Sequence, residues 1–389
     1  MKAGIITLQY FDNYGSVLQT FASQHFLEKQ GVKADIINYQ PTYPNNISVY
    51  FQGFLNAYHE SGLTRALWIS LGYVRKLLKS SEYSDIYKKK IFDEFRERYL
   101  KLSADRYISE IELISNPPEY DVYITGSDNL WLVDYVVGIP NRRIPYYLTF
   151  SPPGSIRVSY AVSMGNPDIR PKHISSFLEL IENIDHISVR GLTTAEKLKS
   201  ITNKDVVSVL DPTFLLTKDE WESVFLNKAD NRNTRPYILV YVLYPLSQKS
   251  PLYQYVQKTA LENNWDIEYV GYTFSTMTTR NRFVSVEEFF NLISNSEMIV
   301  TNSFHGTAFS IIFRKPFYTF PPQEGRVRIT DLLSSFHLLD RFIDEGREIR
   351  DLDYSLDYHT SEEYIEKERR FSKNWLLSAI NCGKSEDYI

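Results

Sequence analysis

The side chains best suited to chemistry lie in the segment 301–307, which reads Thr-Asn-Ser-Phe-His-Gly-Thr. The apolar run 298–301 predicts a strand before it, and the spacing of apolar residues through Phe313 predicts a helix after it. His305 would then lie near a helix N-terminus, where backbone N–H groups attract phosphate or carboxylate. A histidine there can act as a general acid or base near neutral pH. A structural histidine fits the same residues.

Other charged side chains follow predicted strands. Arg190 comes directly after the run 186–189, where its guanidinium can bind a carboxylate or phosphate through two hydrogen bonds. A salt bridge between domains is the alternative for Arg190. Asp128 follows the run 120–125 and can bind or deprotonate a sugar hydroxyl, or cap a turn.

Two further segments carry charge. Arg326 and Arg328 precede a helix predicted over 329–336, so one of them can hold a phosphate while the other is solvated. Asp211 stands in Asp-Pro-Thr, and because the residue before proline is biased away from helix, this tripeptide predicts a hinge between domains. The sequence therefore assigns Asp211 a structural role.

Alternating strands and helices must position these side chains. Short apolar runs predict strands at 3–8, 34–39, 120–125, 159–163, 186–189, 206–210, 237–243, 267–270, 298–301 and 316–320, with helical spacing between most of them. This order is typical of parallel sheets, whose ligands bind outside the carboxyl ends of the strands. The loops 9–16, 126–131, 211–213 and 302–307, together with Arg190, are therefore expected to share one cleft.

The chain has 389 residues, which exceeds the size of a single hydrophobic core. We predict an α/β fold with two Rossmann-like domains facing a cleft. The first domain covers 1–215, with a mostly helical insertion at about 41–110 on the acceptor side. The second covers 216–350 on the donor side. In the tail, 351–389, a helix at about 362–380 is expected to pack back on the first domain.

Composition excludes several classes of protein. A net charge of −5 argues against a nucleic-acid binder, and the single cysteine, Cys382, excludes an intramolecular disulfide and a zinc site of several cysteines. No apolar stretch has the length of a transmembrane helix or the form of a leader, so a cytoplasmic location is expected. Walker A, Gly-x-Gly-x-x-Gly, His-Glu-x-x-His and Gly-x-Ser-x-Gly patterns are absent. Basic and aromatic residues in 41–110 predict solvated helix faces, with contact at an anionic membrane surface as the alternative.

Taken in order along the chain, five segments resemble the polysaccharide pyruvyl transferase family. They are Asn13–Gln19, Tyr120–Trp131, Ile187–Arg190, Asp211–Thr213 and Ser303–Thr307. The resemblance implies a fold similar to that of GT-B glycosyltransferases. It also implies transfer of pyruvate from phosphoenolpyruvate to two hydroxyls of a sugar as a ketal, in the synthesis of a surface glycan such as a capsule or exopolysaccharide.

The resemblance also implies roles for single residues. His305 would protonate the enol carbon of phosphoenolpyruvate, and Arg190 would bind its carboxylate or phosphate. Further donor contacts are expected at Ser303, Gly306, Thr307, Arg326 and Arg328, and acceptor contacts at Asp12, Asn13, Tyr14, Gln19 and Asp128. No metal or cofactor is demanded, because arginines and a helix terminus can stabilise the anion. Many members carry arginine where this chain has Ser303, so one anion contact must come from elsewhere.

Two other functions remain open from the sequence. One is a GT-B-type glycosyltransferase with a nucleotide-sugar donor, and the other is a glycan-binding or scaffold protein without catalysis. The expected partners are phosphoenolpyruvate and a saccharide or lipid-linked oligosaccharide, met at the inner membrane surface, with no nucleic acid. The acceptor sugar, the hydroxyls that are modified and the oligomeric state do not follow from the sequence.

Overall fold

The chain forms two parallel β-sheets, each with helices against it. The computed structural model describes residues 1–41, 83–132, 143–165, 167–226, 235–243, 250–272, 282–320, 325–344 and 354–381. The strands of the first sheet are β1 (Lys2–Ile6), β2 (Lys33–Tyr39), β3 (Leu102–Tyr107), β4 (Val122–Thr125), β5 (Ile156–Val162), β6 (His186–Arg190) and β7 (Val206–Val209). Its helices are α1 (Tyr14–Lys29), α2 (Tyr83–Tyr99), α3 (Glu110–Ser115), α4 (Pro171–Ile181) and α5 (Leu192–Lys199).

The strand order of the first sheet is β3-β2-β1-β4-β5-β6-β7, and every pairing is parallel. Buried β-branched and aromatic residues build the central strands, and all four residues of β4 are buried. The order reverses direction between β1 and β4. Because helices cover the faces of such a sheet, a crevice opens outside the carboxyl ends of those two strands, where ligands of this architecture bind.

The second sheet has the order β11-β10-β8-β9 and is also parallel throughout. Its strands are β8 (Tyr237–Val242), β9 (Asp266–Gly271), β10 (Met298–Thr301) and β11 (Phe317–Thr319). The helices of this part are α6 (Lys218–Phe225), α7 (Pro251–Asn263), α8 (Val286–Asn295), α9 (Phe304–Ile312) and α10 (Arg326–Ser335), and the chain's last described helix is α11 (His359–Asn381). The reversal of order here lies between β8 and β10. The predicted α/β class with two parallel sheets is therefore confirmed.

Four local predictions need correction. The strand β3 lies within the segment 41–110 that was predicted to be mostly helical, and residues 42–82 of that segment lie outside the described residues. It is an edge strand of the first sheet with three exposed residues in a row, so the search for apolar runs missed it. Helix α1 begins at Tyr14, inside the predicted loop 9–16, because Asn13 caps it there. Helix α9 includes His305, and helix α10 includes Arg328, so both residues lie in first turns rather than in loops.

The two sheets share one aromatic core. Trp221 stacks on Phe290 at 5.1 Å between ring centroids, and Phe290 meets Phe309 edge to face at 5.3 Å. Phe21 of α1 packs on Phe225 of α6 at 5.1 Å. Aromatic pairs of this kind add to the free energy gained by burying their surface. The core therefore holds the two sheets in a fixed relation on either side of the cleft.

The last helix, α11, packs against β5 and β7 of the first sheet. Ser372 Oγ accepts a hydrogen bond from the backbone N–H of Leu210 at 2.9 Å, and Arg369 Nε donates to the carbonyl oxygen of Phe214 at 3.0 Å. These contacts fix the turn that contains Asp211. The boundaries at 215 and 350, with their donor and acceptor sides, stay predictions. Among the described helices, none is long and apolar enough to cross a bilayer.

Candidate active site

A cleft of about 620 Å³ opens where the carboxyl ends of both sheets face each other. The first sheet contributes the residues after β1 and β4, and the second contributes the residues after β8 and β10. Both switch points of strand order therefore lie on the same cleft. Its lining includes Phe11, Asp12, Asn13, Tyr14, Lys88, Asp128, Asn129, Tyr241, Asn302, Ser303, Phe304, His305 and Arg328.

Helix α9 presents His305 from its first turn. Ser303 caps the helix, because its Oγ accepts a hydrogen bond from the backbone N–H of Gly306 at 3.3 Å. Thr301 Oγ1 accepts from the backbone N–H of Ser303 at 3.0 Å and so fixes the step from β10 to α9. Ser303 and Thr301 thus determine where the imidazole of His305 points, and that side chain is 9% exposed.

Two glycines make room for this arrangement. A Cβ on Gly15 would lie 2.2 Å from His305 Nδ1, so only glycine allows the first turn of α1 to pack against the imidazole. A Cβ on Gly306 would lie 2.2 Å from Thr301 Oγ1. The first turn of α1, which belongs to the first sheet, therefore seats the histidine that the second sheet carries.

A buried cluster of ion pairs adjoins His305 on the first-sheet side. Asp211 Oδ2 accepts from Arg190 Nη1 at 2.6 Å and from Ser127 Oγ at 3.0 Å, and it lies 3.6 Å from His305 Nε2. The Arg190 guanidinium lies 4.1 Å above the ring of Phe304. Burial works against the charge of Asp211, but His305 and Arg190 hold the pKa of its carboxyl well below the usual range.

A second carboxylate, Asp128, lies between Arg328, which lines the cleft, and Arg190, which lines an adjoining pocket. Asp128 Oδ1 is 3.6 Å from Arg190 Nη2 and 3.8 Å from Arg328 Nη1. Burial raises the pKa of Asp128, but Arg190, His305 and Arg328 together lower it below its ordinary value. Arg328 Nη1 also donates to Asn129 Oδ1 at 3.0 Å. Burial and then Arg190 lower the pKa of Arg328 to about 10, so its guanidinium stays charged at neutral pH.

Several buried nitrogen atoms around this cluster have no hydrogen-bond partner within the described part of the chain. They are His305 Nε2, Asn302 Nδ2, Arg328 Nε, and Nε and Nη2 of Arg190. A buried donor without a partner costs about 1–3 kcal/mol, so such groups stay buried only where something repays that cost. All of them are donors or can be protonated. The cluster therefore favours an anionic ligand.

Of the predicted donor contacts, Ser303 and Arg328 line the cleft with His305, Arg190 lines an adjoining pocket instead, and Arg326 lines neither. Both outer nitrogens of Arg326 donate to the carboxylate of Asp344, with Nη1 at 2.7 Å from Oδ1, and Arg326 is absent from the described lining of the cleft. Thr307 is fully buried, and its Oγ1 donates to the carbonyl oxygen of Ser303 at 3.0 Å. Thr307 and Gly306 support α9 and do not face the cleft.

Of the predicted acceptor contacts, Asp12, Asn13 and Asp128 line the cleft. Gln19 is fully buried beneath it, where Nε2 donates to Thr7 Oγ1 at 2.8 Å and Oε1 accepts from the backbone N–H of Ser127 at 3.1 Å. Tyr14 lines the cleft, but its hydroxyl donates to the carbonyl oxygen of Val284 at 2.7 Å and accepts from its N–H at 2.9 Å. Gln19 and Tyr14 therefore hold the backbone of the site.

Sequence reasoning missed three residues of the cluster. Asp211 was assigned to a structural hinge, yet its carboxylate joins Arg190 to His305. Asn302 bridges the loops after β8 and β10, because its Oδ1 accepts from the backbone N–H of Leu243 at 2.9 Å. Phe304 supports the Arg190 guanidinium. All three stand in the quoted motifs, but local patterns carry no sign of contacts between motifs that are distant along the chain.

Among the described residues, no group of three His, Cys, Asp or Glu side chains is arranged to hold a metal ion. The ionic contacts of Asp128 and Asp211 are instead made with arginines and His305.

Comparison with known proteins gives one family and a set of similar folds. The model of the family described as polysaccharide pyruvyl transferase matches residues 13–324. No curated protein sequence matches the chain. A putative UDP-N-acetylglucosamine 2-epimerase from Listeria monocytogenes aligns with a TM-score of 0.47 at 11% identity, over 100% of this chain and 97% of that one. The glycosyltransferase SnogD from Streptomyces nogalater aligns with a TM-score of 0.43 at 12% identity, over 98% of each chain.

Proposed function

Because the chain belongs to the polysaccharide pyruvyl transferase family, and is therefore a transferase that acts on polysaccharide, we propose that it transfers pyruvate from phosphoenolpyruvate to two hydroxyls of a surface-glycan sugar. One observation carries the proposal beyond the family. His305 lies in a helix N-terminal turn on a cleft, beside two arginines and several buried donors without partners. This is the environment that an acid acting on an anionic enol phosphate requires.

In the proposed reaction, His305 donates a proton to the methylene carbon of phosphoenolpyruvate, and positive charge develops at the adjacent carbon. One acceptor hydroxyl forms a C–O bond to that carbon. The second hydroxyl forms another as the C–O bond to phosphate breaks. Of the two hydroxyl protons, one returns to His305 and the other leaves with phosphate, so the net change is a pyruvate ketal and inorganic phosphate.

Arg328 is the residue we assign to the missing anion contact. Ser303 stands where many members of the family carry arginine, and its hydroxyl is used to cap α9. Arg328 reaches the same cleft from the first turn of α10, and its Nε has no hydrogen-bond partner among the described residues. Arg190 adjoins the cleft without lining it, pairs with Asp211 through Nη1 and lies 3.6 Å from Asp128 through Nη2, so its Nε, which has no hydrogen-bond partner among the described residues, is the nitrogen we assign to the donor. The proposal assigns no step to a metal or an organic cofactor.

The acceptor sugar is assigned to the end of the cleft lined by Phe11, Asp12, Asn13 and Lys88. Phe11 is 36% exposed and stacks on Tyr10 at 4.6 Å, and such a face can pack against a sugar ring. Asp128 lies between this end and His305. Because its pKa is lowered, Asp128 is a weak base and suits binding an acceptor hydroxyl better than deprotonating it. Acceptors held at the inner membrane surface, on the cytoplasmic side, fit this assignment.

The test supplies phosphoenolpyruvate together with lipid-linked or nitrophenyl sugars and measures released phosphate and the mass of the product. The expected result is a product that carries one pyruvate ketal, formed only when both substrates are present. A parallel reaction supplies nucleotide sugars without phosphoenolpyruvate. Product from the nucleotide-sugar reaction alone would contradict the proposal and show that the protein is a glycosyltransferase. Turnover in neither reaction, across a panel of acceptors, would leave a glycan-binding role as the better description.

A further inference from the structure

The carboxylate of Asp211 makes ionic contacts with both Arg190 and His305. Its side chain is fully buried, and Oδ2 serves Arg190 at 2.6 Å and lies 3.6 Å from His305 Nε2. The other oxygen, Oδ1, accepts from the backbone N–H of Thr213 at 3.0 Å and from its Oγ1 at 2.8 Å. Oδ1 therefore stabilises the turn at Thr213, and Oδ2 points towards Arg190 and His305.

The position of this carboxylate is rigidly fixed. The turn that follows Asp211 is tied to α11 through Phe214, and the residue before it is tied through Leu210. On the other side of the imidazole, Gly15 leaves no space for the ring to move away. The 3.6 Å separation is slightly longer than a hydrogen bond and within the range of an ion pair.

We propose that Asp211 orients His305 and stabilises its imidazolium form, which makes Asp211 a positioning residue for proton transfer. A carboxylate beside a histidine fixes the direction of the ring and favours its charged state. His305 Nε2 has no hydrogen-bond partner among the described residues, and Asp211 Oδ2 lies in ionic contact with it. The inference rests on the proposed function only for what the proton is used for.

Other charges also act on His305 and must be counted. Asp128, which follows β4, favours the imidazolium form, whereas Arg190 at the end of β6 and Arg328 in α10 oppose it. Two carboxylates and two guanidinium groups therefore surround the ring. The carboxylate in ionic contact with Nε2 is that of Asp211, so its removal leaves the two positive charges opposed by Asp128 alone.

The direct test is an NMR titration of the histidines in Asp211→Asn and in the unsubstituted chain, with the His305 signal assigned from its loss in His305→Gln. Asparagine keeps an oxygen for Thr213 and removes only the charge. The titration midpoint of His305 is expected to fall by about 1–3 pH units, the size of effect that an opposite charge at this distance produces. A midpoint that does not move overturns the proposal.

Asp185→Asn is the matched control, because it removes the same charge from the opposite end of β6. Asp185 Oδ2 accepts from the backbone N–H of Arg157 at 2.8 Å and takes no part in the cluster. The His305 midpoint is expected to stay unchanged in this variant. An equal fall in both variants would mean that net charge, not position, is responsible, and would overturn the proposal.

A measurement on the unsubstituted protein covers the case in which Asp211→Asn does not fold. When His305 is protonated, its Nε2–H is expected to give a downfield proton signal that exchanges slowly with water. Rapid exchange at every pH overturns the proposal.

If the enzyme assay finds no turnover with phosphoenolpyruvate, these NMR results still decide the role of Asp211, so failure of the two proposals can be told apart. If turnover is found, Asp211→Asn should shift the alkaline limb of the pH–rate profile to lower pH, whereas Asp185→Asn should not.

Discussion

The two sides of the cleft differ in how completely their polar groups are satisfied. On the first-sheet side, Ser127 donates through its backbone N–H to Gln19 and through Oγ to Asp211, whose other oxygen accepts from Thr213. Arg190 is the exception on this side, because its Nε and Nη2 have no hydrogen-bond partner among the described residues. On the second-sheet side, His305, Asn302 and Arg328 each keep a buried nitrogen without a partner among the described residues. A satisfied network is rigid, whereas an unsatisfied donor gains from a ligand. We infer that the network of Gln19, Ser127 and Asp211 positions the site, whereas the second side, together with Arg190 and Asp128, binds the substrates.

His305→Gln, on the second side of the cleft, is expected to have the largest effect on turnover. Glutamine keeps a polar group of similar size but supplies no acid of suitable strength, so turnover is expected to fall by about 10²- to 10⁴-fold. Phosphate release with phosphoenolpyruvate and acceptor measures it. Thermal unfolding should be little changed, and full activity in this variant would remove His305 from the reaction.

Gly15→Ala tests whether the first side positions the histidine. The added Cβ would lie 2.2 Å from His305 Nδ1, so the ring or helix α1 must shift by about an ångström. A misplacement of that size is expected to cost about 100-fold in kcat. Steady-state kinetics with a crystal structure of the variant would check this, and an unshifted ring with normal kcat would contradict it.

Arg328→Gln tests donor binding on the second side. Loss of one charge-assisted contact of about 1.5–3 kcal/mol is expected to raise KM for phosphoenolpyruvate by about 10- to 100-fold. Arg326→Gln is the matched control, because Arg326 is paired with Asp344 and lies outside the described lining of the cleft. Equal effects of the two substitutions would refute the assignment of Arg328.

Tyr14→Phe tests how the two sides are held together. The hydroxyl of Tyr14 pairs with both the N–H and the carbonyl of Val284, which lies on the second side of the cleft. Its loss should lower the free energy of unfolding by about 1–3 kcal/mol. Tyr147→Phe is the control, because the Tyr147 hydroxyl is buried without a partner in the described residues and its removal should cost little. Denaturant unfolding measures both.

The smallest expected effect is on the free energy of unfolding at acid pH. The pKa of Asp211 is lower in the folded chain than in the unfolded one, so its contribution is present above about pH 4 and is lost as pH falls further. The slope of unfolding free energy against pH should therefore be smaller in Asp211→Asn, by up to about 1.4 kcal/mol per pH unit. Equal slopes below pH 4 would show that Asp211 protonates equally in both states.

The parallel α/β architecture and the motifs of the site could be predicted from the sequence alone. Apolar runs and helical spacing are local, so most strands and helices followed from them, and the resemblance across five ordered segments indicated the family. The first residues of α9 and α10 were placed in loops, although the cap of α9 is a local contact between Ser303 and Gly306 and serine is a helix-start signal. Helix α10 has no side-chain cap, so its start at Arg326 carries no such signal.

Which residues of the motifs are in contact became known from the tertiary structure. Arg326 and Arg328 are indistinguishable in the sequence, yet one binds Asp344 and the other reaches the cleft. Asp211 read as a hinge residue, because nothing local shows that its carboxylate lies beside His305, 94 positions further along the chain. The physical reason is that ion pairs and close approaches between segments are set by how the two sheets pack, and burial then determines how strongly those charges act on one another.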